Sequence, residues 1–199
     1  MARLWAGYWT HGFLLWNLFL ALVPVVLALA AWRLSAGRPK LLALLPILGL
    51  WLLFLPNAPY IVTDLVHVNA YGDPIPRLAA ALIVSLAAAT GVLAALLSLA
   101  MVESIVRRRF GAGVSRLMLA IVIPLTAMGV YLGRVVRLNS WDALLEPWSV
   151  AGTVLGALAN PGDHERAIAF VVFFAAFLAV AYACYGRLAL RFPRRRRDR

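Results

Sequence analysis

The chain has 199 residues, 64% of them hydrophobic and only 14% charged, with a mean hydropathy of +0.88. Soluble domains are about half apolar and about a quarter charged, so this composition excludes an ordinary soluble fold and implies an integral membrane protein. The net charge of +11 would suggest nucleic acid in a soluble chain, but here the cations lie between and after apolar runs, which argues for a membrane surface and against a nucleic-acid partner.

Five apolar runs have the length that crosses a bilayer, about 20 residues. They cover residues 12–32, 41–58, 78–102, 117–135 and 167–187. The expected fold is therefore an all-α polytopic bundle of about five spans, one domain over residues 1–190, followed by a basic tail, 191–199. Ala28 and Ala30 have the spacing of a leader cleavage site, but the apolar run is longer than the usual 7–15 residues, so the first run is read as a retained span. Pro24, Pro46 and Pro124 lie inside spans one, two and four, where kinks are expected.

Arginine sets the expected orientation. The segments after spans one, three and five carry Arg33, Arg38 and Lys40, then Arg107, Arg108, Arg109 and Arg116, then Arg191, Arg194 to Arg197 and Arg199. Arg3 stands alone before span one and Arg77 alone between spans two and three. This alternation places the N-terminus outside and the C-terminus in the cytoplasm. With a single lysine among the cations, it fits a bacterial inner membrane. The apolar stretch Val150–Ala159 is too short for a sixth span and reads as an interfacial or re-entrant segment.

Span two ends in an unusual way, with Leu55-Pro-Asn-Ala-Pro-Tyr-Ile-Val-Thr-Asp-Leu65. Pro56 and Pro59 stop the helical ladder. Beyond them Tyr60, Asp64, His67 and Tyr71 recur at helical spacing, which predicts a short interfacial helix with one polar stripe. Span four ends in Gly-Arg-Val-Val-Arg-Leu-Asn-Ser-Trp-Asp, Gly133 to Asp142. Arg134 and Arg137 are three apart and so are read as sharing a helix face. Asn139 and Asp142 have the spacing of a helix start near Ser140. The topology puts both segments on the outer side, where Asp64 and Asp142 can face Arg134 and Arg137. Asp64 follows Pro46 at the interval at which Asp142 follows Pro124, the pattern of two hairpins related by an axis along the membrane normal.

With "FLPNAPYIVTDL", "YLGRVVRLNSWD" and "RRFG" (Arg108 to Gly111), the sequence resembles a family of bacterial integral membrane proteins catalogued as domain-of-unknown-function family 1361. The resemblance extends over roughly Trp16 to Tyr182. It implies a multi-span membrane protein with both long motifs intact, and it carries no activity.

Three functions compete for the outer cluster. In the first, Arg134, Arg137, Asn57, Tyr60, Asp64, Asn139 and Asp142 bind an anionic head group, a lipid or lipid-linked ligand, because guanidinium forks suit phosphate and carboxylate. In the second, an enzyme uses Asp64 or His67 as base. In the third, the charges only hold helix ends together in a structural or assembly subunit. Asp64 and His67, with His11, Asp163 or His164 as a third, are too few and too scattered for a metal centre, and no nucleotide fingerprint occurs. No metal or other cofactor is assigned, and the bilayer is the partner the sequence implies. Asn17 reads as a helix–helix hydrogen bond, Glu103 as an ion pair with Arg107, Trp51 as part of an aromatic belt, and Cys184 as a small buried apolar residue.

Overall fold

A computed structural model describes residues 12–37, 41–70, 74–137 and 165–191, with the single positions 145, 148 and 152. The described residues are helical almost throughout. Helix α1 is Gly12–Ser35 and α2 is Leu41–Phe54. A single turn, α3, Asn57–Tyr60, leads into a 3-10 helix, Ile61–Ala70. The long α4, Pro74–Tyr131, runs into a π turn, Leu132–Val136, and α5 is Glu165–Arg191. Four helical segments are long and apolar enough to cross a membrane: Leu14–Ser35, Leu42–Val66, Arg77–Val135 and Glu165–Leu188. The protein is a multi-pass, all-helical membrane protein by these measures. Pro24, Pro46 and Pro124 each lie inside a helix that continues past them.

At 58 residues α4 would be about 87 Å long if straight, nearly three times the hydrocarbon core of a bilayer. It is not straight. Gly111 has φ 86° and ψ 174°, a backbone conformation essentially confined to glycine. In one straight helix Gly91 and Gly129 would stand about 57 Å apart. Both instead abut the same short knuckle, Gly91 at Ala58 and Gly129 at Pro56. The chain therefore reverses at Gly111, and α4 consists of two limbs, 74–110 and 112–131. The segment around Arg107–Arg116, expected as a loop, is helix on both sides of one glycine.

Packing follows the logic of lipid rather than water. The buried faces are rich in alanine: Ala21, Ala28 and Ala31 on α1, then Ala87, Ala88, Ala94 and Ala95 on the first limb. Large apolar side chains such as Leu15, Phe19, Leu86 and Phe173 point outward. Small residues let helix backbones approach where burial of apolar surface gives no advantage over lipid tails. An exposed apolar surface this extensive would be an aggregation site on a soluble protein. The main cluster joins α1, Trp51 and Leu55 at the end of α2, Ala58, Ile61 and both limbs of α4. A second joins the second limb (Ile123, Ala127, Val130) to Phe174 and Leu178 of α5. Two sequence expectations fail here. Trp51 is buried in the main cluster instead of standing in an aromatic belt, because it lies one turn before Leu55 on the same inward face. Cys184 is exposed on α5 instead of buried.

Gly111 gives a direct test of the reversal. Gly111→Ala is expected to lower stability by about 1–3 kcal/mol, since alanine cannot hold that φ without strain. Gly113→Ala, two residues on in open space, should be neutral or slightly stabilising through helix propensity. Thermal unfolding of the two variants in detergent separates a required turn from a passive glycine.

Candidate functional site

The knuckle after α2 is built by what its prolines lack. Pro56 and Pro59 have no N–H, so the carbonyl ladder of α2 is left incomplete. Ala58 donates to Leu55 at 3.1 Å, a tighter turn than an α-helix makes. Asn57 Nδ2 then donates to the Phe54 carbonyl at 3.1 Å. Asn57 thus closes the break in the chain itself. Tyr60 is half-buried against the second limb and α5, and its carbonyl accepts from Thr63 Oγ1 at 2.7 Å.

The next ten residues form a 3-10 helix, much longer than the three or four residues usual for that form. With three residues per turn, Asp64 lies on the face of Ile61, and that face is core. The Asp64 side chain is only 3% exposed. The expected polar stripe on an interfacial helix is therefore turned inward at Asp64, while Leu65 and Val66 face outward. His67 lies on this helix, but its side chain falls outside the described residues, as does Tyr71.

Both Asp64 oxygens are engaged. Oδ1 accepts from Arg134 Nη1 at 3.2 Å, and Oδ2 accepts from Asn17 Nδ2 at 3.0 Å. Three separate parts of the chain meet here: the start of α1, the 3-10 helix and the π turn. Arg134 comes from the π turn, a form that often marks functional positions. The turn closes with the Arg137 N–H on the Leu132 carbonyl, and Arg137 itself is left-handed at φ 64°. Arg134 and Arg137 do not share an α-helical face as expected. Arg134 is about one-fifth exposed and turned to Asp64, whereas Arg137 is exposed beyond the end of the helix. Asn139 and Asp142, and with Asp142 the second half of the Pro-to-Asp repeat, lie outside the described residues.

Asn17 is the partner missing from the predicted cluster. Its one signal was an amide inside an apolar span, which calls for a hydrogen bond without saying to what.

The opposite end of the bundle is held differently. Glu103 accepts a hydrogen bond from the Tyr182 hydroxyl, joining the first limb of α4 to α5. Its expected pairing with Arg107 is present but long, at 3.9 Å. The buried hydroxyls of Ser98, Ser115 and Thr126 donate to carbonyls of their own helices. Among the described residues no group of three or more His, Cys, Asp or Glu side chains converges in a way that could hold a metal ion.

The two long motifs, separate in sequence, thus meet at Asp64 and Arg134, and Pro56 of the first seats on Gly129, just before the second. The family model described as "Protein of unknown function (DUF1361)" matches residues 16–181 and spans both. The chain belongs to the DUF1361 family. No curated protein and no solved structure matches it. In this DUF1361 protein, Asn17, Asp64, Arg134 and the knuckle all lie inside the matched region.

Proposed function

We propose that this DUF1361 protein crosses the membrane five times and binds an anionic head group, phosphate or carboxylate, at the end of the bundle marked by Arg137. Splitting α4 at Gly111 supports the five crossings, because the second limb is then near bilayer length and the first is longer than a crossing needs. The Arg107–Arg116 turn then lies on the arginine-rich side, which is cytoplasmic by the positive-inside rule, and Arg137 faces outward.

The observation that carries the ligand reading is Arg137. A left-handed position at a helix end favours glycine or asparagine, and any other residue there costs of order 1 kcal/mol. Backbone geometry alone selects against arginine. Arg137 is exposed, three residues on from the partly exposed Arg134, and a guanidinium fork suits phosphate or carboxylate.

The same geometry weakens the enzyme alternative. Asp64 as a base would take its proton beside the Arg134 cation, which favours the charged carboxylate, and it is nearly closed to solvent. The structural reading has one specific observation in its favour, the internal satisfaction of Asp64. It accounts for Asn17, Asp64, Arg134 and Asn57, and leaves Arg137 unexplained.

Arg137→Gly separates the two. Stability should stay unchanged or rise by up to about 1 kcal/mol as the left-handed strain is relieved. Lipid extraction and mass spectrometry of the purified protein should show an anionic species enriched with the wild type and depleted in the variant. A wild type with no enriched anionic species, or a variant in which none of the enriched species falls, removes the ligand reading.

A further inference from the structure

The reversal at Gly111 presents a second cationic feature at the other end of the bundle, independent of Arg137. Two of its arginines are held rather than free to sweep. Arg108 Nε donates to the Ser104 carbonyl at 3.0 Å, and its guanidinium lies 5.8 Å from the centroid of the Trp32 ring. Arg116 Nε donates to the Ala112 carbonyl at 3.4 Å. Each bond uses the inner nitrogen of the guanidinium. The two terminal nitrogens of each have no acceptor among the described residues, and both side chains are exposed. Arg107, by contrast, is drawn toward Glu103.

Fixing Nε orients a guanidinium before any ligand arrives, which reduces the ordering cost of a bidentate contact. The surroundings select the kind of anion. Phe110 and Leu117, close to Arg108 and Arg116 in the chain, are 48% and 60% exposed, and the turn joins two apolar limbs. A soluble anion has no use for that apolar surface. An amphiphile does, with its phosphate on the guanidinium forks and its acyl chains along Phe110 and Leu117.

We propose that the Arg108–Arg116 turn is a binding site for the phosphodiester head group of an anionic membrane lipid, with the Trp32 ring holding Arg108 in place. The site lies on a different face from the Arg137 cluster and does not depend on it.

The test uses the full chain in nanodiscs of phosphatidylcholine containing a minority of phosphatidylglycerol, with the lipids retained on the protein measured by native mass spectrometry. The wild type should retain phosphatidylglycerol in preference to phosphatidylcholine. The double variant Arg108→Gln/Arg116→Gln should lose that preference roughly ten-fold or more, since each surface cation contributes measurably to anionic-lipid binding. Arg137→Gln should keep it. Arg108→Lys/Arg116→Lys preserves the charge but not the fork, and should fall between wild type and the glutamine pair. A wild type without preference, or a glutamine pair that retains it, overturns the site. A lysine pair equal to wild type overturns the role of the held guanidinium. Inorganic phosphate that displaces the lipid at comparable concentration marks a free-anion site and overturns the lipid assignment.

Discussion

Gly91→Ala is expected to lower the stability of the bundle by about 3 kcal/mol, with Gly129→Ala close behind. A Cβ at Gly91 would overlap the Ala58 carbonyl oxygen, and it would lie 3.3 Å from Ile61 Cδ1 as well. A Cβ at Gly129 would overlap the Pro56 ring, falling 2.8 Å from that ring's Cβ. Neither obstacle can swing aside. One is backbone, and the other is a closed ring on a turn braced by the Ala58-to-Leu55 and Tyr60-to-Pro56 hydrogen bonds. The gain in helix propensity from replacing glycine with alanine is about 1 kcal/mol, too small to offset this overpacking. The contrast is Gly49→Ala in α2, where nothing lies within 4 Å and stability should hold or rise. Thermal unfolding of the three variants in one detergent makes the comparison. If Gly91→Ala and Gly129→Ala unfold at the wild-type temperature, the knuckle does not seat between the two limbs as described. The consequence extends to the charged site, because the same knuckle sets the start of the 3-10 helix and hence the position of Asp64.

The apolar spans were legible because bilayer length and composition constrain them directly. Pro56 and Pro59 were legible as a break because a missing N–H has no remedy within the helix. The contact between Asp64 and Arg134 was legible from topology, since both ends were expected on one side of the membrane and opposite charges were available. The faces were not. The stripe of Tyr60, Asp64 and His67 assumed 3.6 residues per turn, whereas the chain winds at three. That change carries Asp64 from the surface onto the face of Ile61. Arg134 and Arg137 were placed together by α-helical spacing, and the π turn with its left-handed exit parts them. Both misreadings come from irregular winding, which follows from tertiary contacts and leaves no periodic signal. The pairing of Tyr182 with Glu103 was hidden for a simpler reason: a tyrosine at a span end reads equally well as an interfacial aromatic.

Arg134→Gln should be the most damaging single change in the polar cluster, costing about 3–5 kcal/mol, and Asp64→Asn should cost less. The asymmetry comes from burial. Removing the arginine leaves a carboxylate that is only 3% exposed without its cationic donor, although Asn17 still donates to it. Removing the acid leaves a guanidinium that is 22% exposed and sits on a long side chain able to reach water. Asparagine also fits the space of aspartate and can still exchange a hydrogen bond with Asn17. The double variant Asp64→Asn/Arg134→Gln should therefore be less impaired than the sum of the two single changes, because the stranded charge that dominates the Arg134 variant is gone. Unfolding of the four proteins in a common detergent gives the coupling directly. Strict additivity would mean that Asp64 and Arg134 act independently. Equal cost for the two single changes would mean that the carboxylate has access to water that its burial does not show. A strong coupling together with a stable Arg137→Gly variant would divide the cluster cleanly, with Asn17, Asp64 and Arg134 locking three segments of chain together and Arg137 taking no part in that lock.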